Sequence, residues 1–412
     1  MELPVDWIQD DGLDQIFQET CERAYRERAT NSYVRVSMRT LVLSALLAFS
    51  VTFVNGQAPR LTGGTGTIYM GSYAKRIMAV DEATEKLIAE IPLTTGIPWS
   101  MALSLDGTRF YIENVDLEHF EVVDVAARKS IDSFTLSEGN QKVRGLSFAP
   151  DPQNRVVTIL ARTATKLPDR FEIGSPTLMQ YDLRERRVIR TAQWTRDPEP
   201  GYGLLRYSPD GKLIYAFSDE IVAFDAQTLQ EVASWNLALP NEPRLGRFDP
   251  GALDLTNDEP GYFNGLFTLK EPVQKRSLLV VGRINFGQKS LDFFPIGPAP
   301  DHGEVSFAFG ADRKHGYVLV QDIQRYELWT IDIPGRKLLN RVEFRGRPRM
   351  AIRTSSNGKL IYLYEAGNTI DLYDAEHFTY LRTITLDADM TSDSFHVVAP
   401  RPRPRSPVNP PL

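Results

Sequence analysis

Asp81, Asp124, Asp182, Asp225, Asp332 and Asp374 each close a short run of β-forming residues, and five residues later Lys86, Lys129, Arg187, Gln230, Lys337 or Thr379 opens another. A fixed offset repeated along a chain commits it to stacking copies of one supersecondary unit, because a single unit cannot bury its own hydrophobic faces. The unit is clearest from Leu204, in LLRYSPDGKLIYAFSDEIVAFDAQTLQEVASWNL. There Ser208-Pro209-Asp210-Gly211 is turn chemistry: proline presets φ and glycine takes the positive-φ position. Lys212 to Phe217 follows as a run of β-formers.

The corresponding turn reads Ser104-Leu105-Asp106-Gly107 and Ser355-Ser356-Asn357-Gly358 in two other units, and decays to Ala149-Pro150-Asp151-Pro152 and Gly310-Ala311-Asp312-Arg313 in two more. The interval from Asp225 to Asp332 is about twice most of the others, so it should hide one further unit. Residues 262 to 297 supply it, with Tyr262 to Phe267, Ser277 to Val281 and Ser290 to Phe294 as its strands. Residues 238 to 261 read as a Pro-, Gly- and Asp-rich insertion, and Thr163 to Ser175 as a lengthened loop of the third unit.

Four-stranded units of this length predict an all-β fold, a seven-bladed β-propeller of four-stranded antiparallel blades over residues 65 to 399. The first unit, from Thr67, has only three strands, whereas Ser394-Phe395-His396-Val397-Val398 is an orphan strand after a complete seventh unit. The orphan should become the innermost strand of blade one, closing the ring and removing an exposed sheet edge.

Ahead of the array, Met38-Arg39-Thr40, the apolar run Leu41 to Val54 and the small residues of Val54-Asn55-Gly56-Gln57-Ala58 compose a signal peptide over residues 38 to 56. The run is shorter than the roughly 20 residues a spanning helix needs. Residues 1 to 37 carry Glu2, Asp6, Asp10, Asp11, Asp14, Glu19, Glu22 and Glu27, which a signal n-region avoids. They are expected to lie upstream of a true start at Met38; a cytoplasmic tail before a signal anchor is the alternative, favoured by Arg23, Arg26, Arg28, Arg35 and Arg39. Either reading places the propeller outside the cytoplasm, in the periplasm or beyond the cell. Residues 400 to 412 are a Pro- and Arg-rich tail expected to be extended or disordered.

The only cysteine, Cys21, lies upstream of the array, so no disulfide, thiol nucleophile or cysteine metal site is expected in the propeller. A formal net charge of −6 argues against electrostatic capture of nucleic acid.

Forms such as SPDGKLIYAF followed by IVAFD resemble the YVTN-type seven-bladed propellers, a group that includes surface-layer repeat proteins and the β chains of quinoprotein amine dehydrogenases. Phe110-Tyr111-Ile112-Glu113-Asn114 and Ile361-Tyr362-Leu363-Tyr364 stand where the tetrapeptide would. The Gly-His and Trp-Asp signatures of WD40 repeats are missing. In the dehydrogenases this resembles, a separate small subunit carries the quinone and docks on the propeller. The resemblance therefore implies a scaffold for a partner, with no cofactor of its own.

The six repeated aspartates are expected to accept turn amides rather than bind cations. Positions leading into each innermost strand should ring one mouth of the central channel: Trp99, Arg144, Tyr202, Arg206, His302, Glu304, Arg349 and Asp393. Mixed bases, acids and aromatics suit a small polar ligand, with arginines as forked donors. His119, His302, His315, His377 and His396 share no metal-ligand spacing, so no metal is expected, and there is no phosphate loop, nucleophile elbow or haem motif. His302, within Pro300-Asp301-His302-Gly303-Glu304, is the one histidine placed to act as a general base or ligand. The expected function is exported binding, of a small polar ligand or a partner subunit, without intrinsic catalysis. The alternatives are an accessory chain of an amine dehydrogenase complex and a lactonase-like hydrolase using axial acids and a histidine.

Overall fold

A computed structural model describes residues 60–400 apart from 197–203, 218–219, 237–247, 254–260, 272–274, 301–303, 323–324, 345–348, 366 and 392–393. Residues 1–37, the signal segment and residues 401–412 of the tail lie outside the described residues. The strands are β1 (Thr67–Ser72), β2 (Arg76–Asp81) and β3 (Leu87–Pro92) of blade one, then β4 (Pro98–Leu103), β5 (Arg109–Asn114), β6 (His119–Asp124) and β7 (Lys129–Thr135) of blade two. Blade three comprises β8 (Gln141–Pro150), β9 (Val156–Lys166), β10 (Phe171–Ile173), β11 (Thr177–Asp182) and β12 (Arg187–Gln193), and blade four β13 (Leu204–Tyr207), β14 (Leu213–Phe217), β15 (Glu220–Asp225) and β16 (Glu231–Asn236). Blade five follows as β17 (Phe248–Leu253), β18 (Tyr262–Glu271), β19 (Arg276–Asn285) and β20 (Ser290–Pro298), and blade six as β21 (Glu304–Phe309), β22 (His315–Asp322), β23 (Arg325–Asp332) and β24 (Lys337–Phe344). Blade seven is β25 (Arg349–Thr354), β26 (Leu360–Glu365), β27 (Thr369–Asp374) and β28 (Tyr380–Thr385), and β29 (His396–Val398) ends the series.

These strands form seven antiparallel sheets, one per blade, and the first has the order β29-β1-β2-β3. The last strand therefore completes the first blade, with Thr67, Ile68 and Tyr69 paired to Val398, Val397 and His396. The junction is fixed further by Ser394, whose Oγ accepts the Gly71 N–H at 2.9 Å, and by Arg353, whose Nε donates to the Phe395 carbonyl at 2.9 Å.

Two readings of the sequence need correction. The segment 238–261 is not wholly an insertion, because β17 lies inside it and is the innermost strand of blade five. Thr163 to Ser175 is not simply a loop either. Strand β9 runs on to Lys166, pairing Thr163 with Val143 and Thr165 with Gln141, and short β10 joins the sheet beside it.

Each reversal between third and fourth strands is built by the marker residue. Asp81, Asp124, Asp182, Asp225, Asp332 and Asp374 accept backbone N–H groups two or three residues on, from Thr84, Ala127, Arg184 and Glu185, Gln227 and Thr228, Gly335, and Glu376 and His377. In blade five the same work is done by Asn285, whose Oδ1 accepts the Gln288 N–H at 3.0 Å. Four residues after each marker stands a left-handed residue: Glu85, Arg128, Arg186, Leu229, Lys289, Arg336 or Phe378, with φ between 50° and 60°. None is glycine, so the side-chain cap offsets a conformation that L-residues resist.

The hydrophobic core is divided among the seams. Seven separate buried clusters each join residues of two neighbouring blades, as when Ile68 and Met70 of blade one meet Leu360 and Tyr362 of blade seven. Fully burying one such side chain is worth roughly 1.5–3 kcal/mol, and closing the ring provides a seventh seam instead of two exposed faces.

Candidate functional site

The innermost strands begin at one rim of the ring, and on that rim blades two and three concentrate charge. Strand β4 carries a bulge between Pro98 and Ser100, which leaves Trp99 out of register and half exposed. A bulge re-aims a side chain and often marks a functional edge. Ser100, beside Trp99, donates to Glu113 Oε2 at 3.4 Å, a long and weak bond. Gly145, beside Arg144 on β8, faces the same carboxyl so closely that a Cβ added there would sit 2.0 Å from Glu113 Oε1.

Glu113 is 5% exposed, and its Oε1 has no hydrogen-bond partner. Burial, with a smaller contribution from the Asp116 carboxylate, pushes it up to about 8. At neutral pH it is thus mostly a neutral carboxylic acid, able to donate a hydrogen bond. Its neighbours are satisfied. Glu118, also buried, meets Lys142 Nζ at 3.1 Å, Arg144 Nε at 3.5 Å and the Ser137 hydroxyl. Glu121 accepts from the Thr94 and Thr95 N–H groups and the Thr95 and Ser130 hydroxyls. Asp116 meets His119 Nδ1 at 3.0 Å.

The register makes Glu113 exceptional. Counted from the residue opposite each marker, the same second-strand place holds Gly71, Leu160, Phe217, Leu266, Leu319 and Tyr364 in the other blades. Five apolar or glycine residues, one tyrosine whose hydroxyl donates to the Met390 carbonyl at 2.7 Å, and one buried acid indicate that the repeat itself does not call for a carboxyl there. Sequence reasoning passed over it, although Glu113 interrupts the hydrophobic run Phe110-Tyr111-Ile112 and the signal was visible.

The structure places the other candidates less uniformly. Trp99, Arg144, Arg206, Glu304 and Arg349 lie within innermost strands rather than in loops before them, a correction that follows from those strands beginning earlier than their β-formers suggest. Only Trp99 and Arg144 adjoin residues that touch Glu113. Arg206 turns toward blade five, its guanidinium 5.8 Å from the Phe263 ring, and helps line a cavity of about 150 Å³ with Leu105, Pro152 and Pro209 of the first-hairpin turns, at the opposite mouth. Glu304 and Arg349 begin β21 and β25. Tyr202, His302 and Asp393 lie outside the described residues.

His396 is buried at the closing strand. Its Nε2 meets the Met101 carbonyl at 2.9 Å, and burial, reinforced by Arg353, brings its pKa down to about 3. His119, His315 and His377 each meet an aspartate three residues earlier in sequence. Among the described residues no group of three or more His, Cys, Asp or Glu side chains is placed to hold a metal ion, and no helix is long and apolar enough to cross a membrane.

No family profile and no curated protein sequence matches the chain. Solved structures do. A functionally unknown protein from Desulfotomaculum acetoxidans is 11% identical, with 82% of this chain and 100% of that chain covered at a TM-score of 0.50. The β-propeller domain of Myceliophteria thermophila Cps50 (Swd1) is 13% identical over 74% of this chain and 91% of that one, also at 0.50. Kuenenia stuttgartiensis hydrazine synthase is 14% identical over 76% and 90%, at 0.46. At such identities the likeness concerns the fold, a β-propeller scaffold.

Proposed function

We propose that the protein is an exported β-propeller binding protein that holds a small polar ligand at the channel rim between blades two and three. Glu113 carries the reading: a buried acid with an unpartnered oxygen, at a place where none of the six other blades has a carboxyl. Leaving a buried polar oxygen unmatched costs about 1–3 kcal/mol, a cost that a ligand donor or acceptor removes. As a neutral acid Glu113 donates to a ligand carbonyl or hydroxyl; on losing its proton it accepts from an amine or amide. Trp99 supplies a flat apolar contact at the rim, and Arg144 and Lys142 an adjoining polar one beside Glu118. Export is supported by the signal-like segment from Met38 to Ala58.

Native mass spectrometry on the protein recovered from its cells' envelope fraction tests both parts. The reading expects a chain beginning near Gln57 that carries a small bound mass, and loss of that mass in Glu113→Gln and Trp99→Ala variants that still melt cooperatively. A retained Met1 sinks the export claim. A bound mass indifferent to both substitutions, or none, sinks the rim site.

A further inference from the structure

On the face opposite the rim, the first-hairpin turns are not alike. Their second place holds Leu105 in blade two, Pro150 in blade three and Pro209 in blade four, but Ala311 in blade six and Ser356 in blade seven. Proline suits a turn at that place. Leucine does not, yet Leu105 stands there 46% exposed. With Pro152, Tyr207 and Tyr262 these three residues wall the cavity of about 150 Å³. Among its described lining residues Arg206 alone is charged, and its guanidinium faces the Phe263 ring at 5.8 Å.

The closing strand delivers the chain to this same face. Val398, the last residue of β29, pairs with Thr67, which in turn faces the marker Asp81, so β29 ends at the edge where the hairpin turns lie. Val398 also packs against the buried cluster that Leu103 joins, and Leu103 belongs to the cavity wall. Ala399 and Pro400 are exposed. Beyond them the sequence reads RPRPRSPVNPPL, in which Pro404, Pro407 and Pro410 recur every three residues. A polyproline II helix has three residues per turn, so that spacing sets the three rings along one face. The ten residues from Pro400 to Pro410 extend about 31 Å in that form. Stacked sheets lie about 10 Å apart, so blade four, three blades on, is within reach of a tail that starts from blade one.

We propose that the C-terminal tail, residues 401–412, docks as a polyproline II helix across this mouth of the channel, with Pro404, Pro407 and Pro410 against the wall of Leu105, Pro150, Pro209 and Tyr262. A wall of aromatic and proline rings suits such a helix, which is extended beforehand and loses little freedom on binding. Arg403 and Arg405 fall on its other two faces, toward the turn acids Asp106 and Asp210. Asp210 is exposed, with Lys212 Nζ 3.5 Å from its Oδ2, and Asp106 Oδ2 accepts from Asn154 Nδ2 at 2.8 Å. The chain thus fills its own groove, and this site stands or falls independently of the rim at Glu113.

Trypsin tests the tail directly, because proline follows Arg401 and Arg403 and blocks cleavage there, which leaves the Arg405–Ser406 bond. In the full chain, loss of residues 406–412, followed by intact mass, should be at least tenfold slower than cleavage of the free peptide APRPRPRSPVNPPL. Leu105→Asp should restore the peptide's rate, and Trp99→Ala at the rim should leave the protection unchanged. Pro410→Ala, which lies in the tail and cannot unfold the ring, should also restore cleavage to the rate of a peptide with the same change. Fluorescence anisotropy of the labelled peptide gives a second reading. It should bind one-to-one to a chain ending at Pro400, which keeps every described strand, and at least tenfold more weakly to the full chain, whose own tail competes. The proposal is overturned by a tail cut as fast as the free peptide, by protection that Leu105→Asp leaves intact, or by protection that falls on dilution, which would mean exchange between two copies. It is overturned equally by a peptide that binds the full chain as well as the shortened one, or that fails to bind the shortened chain at millimolar concentration.

Discussion

The Tyr362 hydroxyl donates to Glu82 Oε1 at 2.8 Å across 280 residues of sequence, joining blade seven to blade one. Glu82 follows the blade-one marker, a place held elsewhere by Val125, Leu183, Ala226, Phe286, Ile333 and Ala375. It is fully buried, its pKa is raised by desolvation, and it also accepts the Ser356 N–H at 3.0 Å. An ordinary seam uses a weaker link, such as Tyr69 donating to the Val125 carbonyl at 3.3 Å. Tyr362→Phe should therefore cost about 1–3 kcal/mol, and Tyr69→Phe about 0.5–1.5 kcal/mol, in urea unfolding. Equal costs would mean that the closing seam is no different from the rest.

Removing the closing strand has a distinct signature. A chain ending before Ser394 loses the pairing of β29 with β1 at three residue pairs, the Gly71 and Arg353 bonds and the buried Phe395 ring. The exposed β1 edge then offers unpaired N–H and C=O groups to another chain. Light scattering after size exclusion should show dimers or larger species and a lower melting temperature. A monomer with an unchanged melting point would contradict closure by β29.

Asn285 is predicted to act as the blade-five marker. Asn285→Ala should cost about 1 kcal/mol, the usual value of a lost cap or turn bond, and Asn285→Asp should be tolerated with little change. Thermal melts of both variants decide it.

Two buried groups oppose each other in their pH dependence. Glu113 holds its proton in the folded chain up to about 8 but releases it near 4.5 when unfolded, so its contribution is complete below 4.5 and is lost as pH rises to 8. His396 is neutral in the folded chain down to about 3 but protonates near 6.5 when unfolded, so its contribution is complete above 6.5 and is lost as pH falls. Between about 4.5 and 6.5 these two slopes oppose each other, and from 6.5 to 8 the decline from Glu113 continues without the rise from His396. Glu113→Gln should remove that alkaline decline in a series of melts, while His396→Gln should flatten the acid side.

The marker aspartates made the array legible because each closes a local loop with its own turn amides, a relation contained in a few consecutive residues. Blade five was obscured because asparagine replaces the marker at Asn285 and because Phe248 to Leu253 includes Pro250 and Gly251, which do not read as a strand. At the rim, Trp99 and Arg144 were accessible from strand order alone. Glu113 needed the blades aligned by register before its departure from the pattern could be seen.

The functional reading depends on Glu113 remaining a neutral acid at the rim, so titrating it is the most direct test. Carbon-13 NMR of side-chain carboxyls, assigned with Glu113→Gln, should place Glu113 near 8 in the ligand-free protein. A value near the ordinary carboxylate range, about 4.3, would show a solvated group and remove the basis for a ligand site between blades two and three.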